Sequence, residues 1–316
     1  MSDRILITGG AGFLGQHLAR RLASEGHDVD ILDIKAPGRG VPVQFIQSDL
    51  REWVTSARKR YDTVFHLAAL VGGRKTIEDR PFSVYGNIEI DRAIFDYAVR
   101  RDCGRVVYMS SSAVYPVDRQ RQVTDDPLTE KEVDTQRGPL RIPDYTYGWA
   151  KMSGEFIAGL AREKYGLPVV IYRPFSVYGP GQGSDYPIPA IVARTARKED
   201  PLTIWGSGLQ VRDFVYIDDF LAIVMGSYRT LPFAEPLNIS TGRGVNFHEV
   251  GQTAATVAGY APRIAADASQ PAGVLCRVGS IAAIPERLRP RVSLREGLTK
   301  MFQHLSPRNR CSSILN

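Results

Sequence analysis

Three cysteines in 316 residues, Cys103, Cys276 and Cys311, stand far apart and lack metal-ligand spacing, which excludes a disulfide framework and a cysteine zinc site. The five histidines show no ligand spacing either, so no metal is expected. No apolar run reaches eighteen residues, and the opening MSDR leads straight into a strand-like ILIT. Neither a membrane span nor a signal peptide is expected, and a reducing cytoplasm fits the sparse cysteines. The net charge of +6 comes from Lys and Arg spread along the chain, without a block of five like charges. That excess suits an anionic small molecule better than nucleic acid. Internal repeats and low-complexity segments are absent, and the last ten residues, PRNRCSSILN, read as a frayed tail.

What is present is an ordinary globular composition, 43% hydrophobic and 23% charged, in a chain long enough for about two domains. Candidate strands are Arg4 to Thr8, Asp28 to Leu32, Val43 to Ile46, Thr63 to Leu67, Arg105 to Ser110 and Pro168 to Tyr172. Amphipathic stretches such as Gly15 to Glu25 and Asp91 to Arg101 separate them. Strands alternating with helices of this length predict an α/β fold, a doubly wound parallel sheet. After YRPFSVYGPGQG the texture shifts to frequent Pro and Gly, which predicts a smaller C-terminal α/β domain. The expected division is 1–175 for the first domain, with a return around 214–242, and 176–213 plus 243–316 for the second.

The strongest local signal is ILITGGAGFLGQHLARRLASEG. A strand runs into Gly10, Gly12 and Gly15 in G-x-G-x-x-G spacing, and Gly9, Gly12 and Gly15 also give a G-x-x-G-x-x-G spacing. Glycines there permit a tight turn, let the backbone approach a pyrophosphate and leave the helix N-terminus open to phosphate. The next strand ends at Asp33, eighteen residues past Gly15, where a carboxylate can bond the adenosine ribose hydroxyls. A turn residue is the alternative reading of Asp33. Together these features predict a Rossmann-type dinucleotide site. A carboxylate at the strand tip repels a 2′-phosphate, and Ile34 rather than an arginine follows, so NAD is preferred over NADP. Lys35 and Arg39 argue the other way.

DYTYGWAK places Tyr147 and Lys151 four residues apart on a predicted helix, which puts both on one face. A free tyrosine is a poor base at neutral pH, but a nearby ammonium stabilises its phenolate. Beside a nicotinamide, such a pair can take a proton from an alcohol as hydride leaves its carbon.

With these residues in place, the sequence resembles the extended short-chain dehydrogenases/reductases that act on nucleotide sugars, in the epimerase/dehydratase group. The resemblance runs through TGGAGFLG, SDL at 48–50, HLAA at 66–69, SSSAVY, YGWAK, RPFSVYGPGQ and GSGLQVRDFVYIDD. It implies NAD contacts from Gly9, Gly12, Phe13, Leu14, Gly15, Asp33, Ile34, Asp49, Leu50, Leu67, Ala68, Ala69, Asn87, Tyr147, Lys151 and Pro174. It implies substrate contacts from Val71, Gly72, Gly73, Ser111, Ser112, Ser176 and Arg212, with Arg212 on the substrate diphosphate. Its catalytic Ser or Thr falls on Ser111, so the implied catalytic set is Ser111, Tyr147 and Lys151. Ser110 and Ser112 also read as strand-end and turn-forming residues. Arg212 also reads as a surface ion pair with Asp213, Asp218 and Asp219 as helix caps, and His66 as a strand-end residue lining the cofactor cleft. A homodimer is implied, through helices near Asp91 to Arg101 and Tyr147 to Tyr165 that carry surplus apolar residues such as Ile94, Phe95, Phe156 and Ile157.

Ala113 narrows the reaction. By resemblance, the dehydrating members place carboxylates at Ser112 and Ala113, the uronic-acid decarboxylases place a glutamate at Ala113, and the 3,5-epimerases place a cysteine there. Alanine can do none of this chemistry. The minimal set that remains serves oxidation and re-reduction of one carbinol carbon, which points to C4 epimerisation. A nucleotide-sugar reductase or dehydrogenase stays open, as does a cofactor-sensing binding protein. VGGR at 71–74, VYP and WGSGLQVRDF resemble the GDP-sugar members, including the 3,5-epimerases, so the nucleotide stays open among GDP, UDP and dTDP. Ser176 stands where an asparagine commonly contacts the substrate. The stretch 116–144 reads as a substrate-covering loop or a solvated insertion.

Overall fold

The computed structural model describes residues 2–38, 40, 43–233 and 235–305. Arg39, Cys311 and the tail from 307 lie outside the described residues. Six short apolar runs form β1 (Arg4–Thr8), β2 (Asp28–Asp33), β3 (Gln44–Gln47), β4 (Thr63–His66), β5 (Val106–Met109) and β6 (Val169–Pro174). A seventh strand, Pro236–Ile239, joins the outer edge of β6, giving the order β3-β2-β1-β4-β5-β6 and then this strand. Every pairing is parallel. Parallel strands are covered on both faces and so need apolar side chains throughout; β4, β5 and β6 are buried at every position. This is the Rossmann-type α/β architecture. Strand order reverses between β1 and β4, which opens a crevice at their carboxyl ends.

On one face, helices Asn87–Arg100 and Tyr145–Tyr165 pack Ile94, Phe95, Ala158 and Ala161 against Leu6, Val64 and Ile171. Ile94 and Phe95, expected as surplus apolar residues, are buried within this chain, whereas Phe156 is 45% exposed. Small residues let the second helix lie close: a Cβ at Gly154 would clash with the Tyr108 hydroxyl. On the other face, Ile7, Val107 and Tyr172 share an apolar core with Ile188, Phe214 and Phe247 of the C-terminal part.

The C-terminal part has its own sheet of Ser176–Tyr178, Val211–Tyr216, Gly244–Asn246 and Cys276–Arg277. The expected return around 214–242 therefore needs correction. Only Pro236–Ile239 enters the large sheet, and Val211–Tyr216 pairs within the small one. Buried Asp213 pins it there, accepting from Thr241 N at 2.8 Å, Thr241 Oγ1 at 2.7 Å and Gly242 N at 3.0 Å. No helix among the described residues is long and apolar enough to cross a membrane.

The insertion at 116–144 is neither a free loop nor a cover. Arg173 donates to Glu130 O and Val133 O at 2.9 Å each, Asn238 Nδ2 donates to Leu128 O at 3.0 Å, and Leu128 and Val133 are buried. Only Asp144, at its end, reaches the cavity described next.

Candidate active site

A cavity of about 960 Å³ opens at the carboxyl ends of β1 and β4, and every site residue named from the sequence except Asn87 and His66 lines it. Its cofactor end is built from backbone. Gly9 has φ +69, and a Cβ there would sit 2.7 Å from Ala68 N. A Cβ on Gly15 would strike Gly9 O, and one on Gly10 would lie 2.7 Å from Ile31 Cγ2. Only glycine fits this turn. Gly12 caps helix Phe13–Ser24 without a side-chain bond, and no acidic residue occupies the first turn, so the N-terminal amides and positive dipole end suit a pyrophosphate. Asp33 accepts from Ala11 N and Lys35 N at 3.0 Å each, so it braces the turn as well as facing the cavity. Asp49 caps helix Leu50–Ser56 through Arg51 N at 2.8 Å. Its carboxyl is held below the usual range by the Arg51 side chain.

The reacting end lies where helix Tyr145–Tyr165 meets the residues after β5. Ser111 caps a short 3₁₀ turn, its hydroxyl accepting from Ala113 N at 3.1 Å, and it lines the cavity with Tyr147. Burial raises the Tyr147 phenol above its ordinary value, while Ser111 opposes the rise. Burial lowers the Lys151 ammonium, opposed by Asp91 and Glu155. Ala113 is buried, as is Ser112 beside it. Ser110 instead donates to Glu155 at 2.6 Å.

The far end is charged, and most of it escaped sequence reading. Asp144, three residues before Tyr147, bonds Arg74 Nη1 at 2.7 Å and Arg277 Nη2 at 2.6 Å. Burial works against its charge, yet the two guanidiniums hold its carboxyl at about 2. Arg212 donates to Val211 O and to Ala272 O at 2.8 and 3.1 Å; burial and then Arg277 lower it to about 9. These residues come from segments far apart in the chain. The one available signal was position: Arg74 follows VGG, and Asp144 opens the Tyr147 helix. Tyr186 caps helix Pro187–Ala196 and also lines the cavity.

Four expectations need correction. Asn87 is fully buried and clamps the backbone of Leu70, receiving from its N at 2.6 Å and donating to its O at 3.0 Å. It shapes the loop rather than the cavity wall. His66 is likewise buried, between Thr8 and Asp91, and does not line the cleft. Arg212 makes no surface pair with Asp213, whose carboxylate serves the backbone around Thr241. Asp218 and Asp219 lie inside the first turn of helix Ile217–Ser227, behind the cap Tyr216. Asp218 pairs with Lys300, and Asp219 receives from Arg291 N and Val292 N at 3.1 and 2.9 Å.

Residues 5–231 match the model of the NAD dependent epimerase/dehydratase family. The chain belongs to this family. Its cofactor is NAD, in keeping with the glycine turn and Asp33. A dTDP-4-dehydro-6-deoxy-D-allose reductase of a Streptomyces species is 30% identical over 89% of this chain and 89% of its own length. Among solved structures, UDP-glucose 4-epimerase of Thermotoga maritima, with UDP-glucose, superposes at TM-score 0.83 with 25% identity, covering 98% of this chain and 99% of that one. MoeE5, in complex with UDP-glucose and NAD, gives 0.81 at 31% identity, covering 95% and 97%. The family relatives of this chain thus include nucleotide-sugar epimerases and reductases.

Proposed function

We propose that this protein is an NAD-dependent epimerase that inverts C4 of a nucleotide-diphosphate sugar through a transient 4-keto sugar. The observation that carries the reading is the poverty of the reacting end. Ser111, Tyr147 and Lys151 converge there, and the wall beside them is Ala113. The carboxylate nearest Tyr147 in the chain, Asp144, is held by the Arg74 and Arg277 guanidiniums and so makes a poor base.

In this mechanism the Ser111 hydroxyl orients the sugar hydroxyl, Tyr147 takes its proton and later returns it, and the Lys151 charge stabilises the phenolate. NAD supplies the hydride acceptor for the first half and the donor for the second. Arg212 holds the diphosphate with its forked donors, and the backbone of Val71, Gly72 and Gly73 with Ser112 and Ser176 encloses the sugar. GDP, UDP and dTDP all remain acceptable to these contacts. Residues 1–175 with Pro236–Ile239 serve the cofactor and the remaining C-terminal segments serve the substrate. The reading includes a cytoplasmic homodimer, with the exposed Phe156 on the Tyr147 helix at the contact.

Turnover in deuterium oxide tests the reading. Inversion at C4 should proceed with no deuterium on carbon and no net change in nicotinamide absorbance. A stoichiometric absorbance change would instead mark a reductase or dehydrogenase. Deuterium at C3 or C5 would mark a 3,5-epimerase, and absence of any turnover would leave a cofactor-binding protein.

A further inference from the structure

A second carboxylate lies buried beneath the catalytic helix, and the acid/base trio does not account for it. Asp91, on helix Asn87–Arg100, is fully buried. His66 Nε2 meets its Oδ1 at 2.9 Å, and the Tyr108 hydroxyl donates to its Oδ2 at 2.6 Å. Behind the imidazole, Thr8 Oγ1 lies 2.7 Å from His66 Nδ1 and accepts from Ala68 N at 3.4 Å. The carboxylate accepts from His66 Nε2, so the neutral ring is left to accept the Thr8 hydroxyl at Nδ1. With the phenol arriving from the other side, the carboxylate is an acceptor on both oxygens and stays ionised. Burial keeps His66 neutral.

Asp91 is therefore a buried anion whose hydrogen-bond donors are all neutral, and such an anion needs a cation. The catalytic helix presses directly on it, since a Cβ at Gly154 would clash with Asp91 Oδ2. From that helix, Lys151 Nζ sits 4.9 Å from the Tyr108 ring centre. Glu155, the other carboxylate close to Lys151, already has its cation: Arg173 bonds its two oxygens at 2.9 and 2.6 Å. Around Lys151 the facing groups are thus Asp91, Glu155, Tyr108 and Tyr147, and only Asp91 is uncompensated.

We propose that Asp91 is a positioning residue for proton transfer, its carboxylate serving as the counter-ion of the Lys151 ammonium and anchored through His66 and Thr8 to the cofactor turn. The catalytic consequence rests on reading Tyr147 and Lys151 as the acid/base pair, whereas the ion pair itself does not.

A double-mutant cycle in thermal melting of the full chain, with and without added NAD, tests the ion pair alone. Lys151→Met strands the anion, and adding Asp91→Asn should raise the melting temperature of that variant by about 3 °C or more. Additive effects would overturn the proposal. Should Asp91→Asn not fold, Lys151→Met alone decides. Its melting deficit should widen from pH 5 to pH 8 as the stranded carboxyl, its folded pKa raised, loses its proton; a flat deficit refutes the pair. The catalytic consequence is read from kcat/KM against pH, where Asp91→Asn should bring the alkaline limb down by about one pH unit. A uniform loss at every pH would make Asp91 merely structural. Coupling in the melts without turnover of any nucleotide sugar would uphold the counter-ion and sink the epimerase reading.

Discussion

The two ends of the cavity are made in different ways. At the cofactor end, recognition is a backbone conformation: glycines at 9, 10, 12 and 15, the start of one helix, and Asp33 at the next strand tip. At the substrate end it is a set of long charged side chains drawn from three separate segments, Arg74 and Arg277 steadied by Asp144 and Arg212 by backbone carbonyls. A conformation tolerates almost no change, because a single methyl group meets backbone atoms that cannot move. A set of side chains degrades one contact at a time, and it can be retuned without disturbing the fold.

That contrast sets the order of expected effects. Gly15→Ala should be the most damaging, since the added Cβ meets Gly9 O; NAD affinity, read by calorimetry, should fall by about 100-fold or more. If it falls less than about threefold, the turn is not the phosphate cradle. Arg212→Gln should act only at the other end, raising KM for the nucleotide sugar about tenfold through loss of a charge-assisted bond while leaving NAD affinity in place. Equal losses for both ligands would erase the division between the ends. The third effect, on stability and not on either affinity, should come from Asp144→Asn, measured as acid unfolding. The Asp144 carboxyl is at about 2 in the folded chain, below its unfolded value, so its contribution is present above about pH 4 and disappears as pH falls toward 2. The variant should lose about 2 kcal/mol at neutral pH and unfold with a shallower dependence across that window. An unchanged acid transition would show that the arginines do not depend on Asp144.

The same contrast explains what could be read before the structure. The glycine turn, Asp33 and the Tyr147 helix are local patterns, so their spacing carries their chemistry, and β1 to β6 follow from alternating apolar runs. Val211–Tyr216 and Pro236–Ile239 are both short apolar runs, and nothing within either says which sheet it will join; the tie from Asp213 to the Thr241 turn is long-range. Asp91 and His66 look like polar positions on an amphipathic helix and a strand end, and only the packing of Gly154 against them reveals a buried charge. The Arg74, Asp144 and Arg277 group spans most of the chain, so no window of sequence contains it. The anchoring of residues 116–144 depends on Arg173 and Asn238, both of which read as ordinary strand residues.

Pro236–Ile239 completes the large sheet only after the small-sheet strands Ser176–Tyr178 and Val211–Tyr216 have been passed. On the ribosome, then, the nucleotide-binding sheet emerges with the edge of β6 unpaired while some sixty more residues are made. An open parallel edge of that kind is a template for pairing with another nascent chain. Tyr115 waits about twice as long for Asn238, its hydrogen-bond acceptor at 2.6 Å. A fragment ending before residue 236 would carry every residue named for the cofactor and yet lack its closing strand, so its expression as a separate module would be governed by aggregation rather than by the glycine turn.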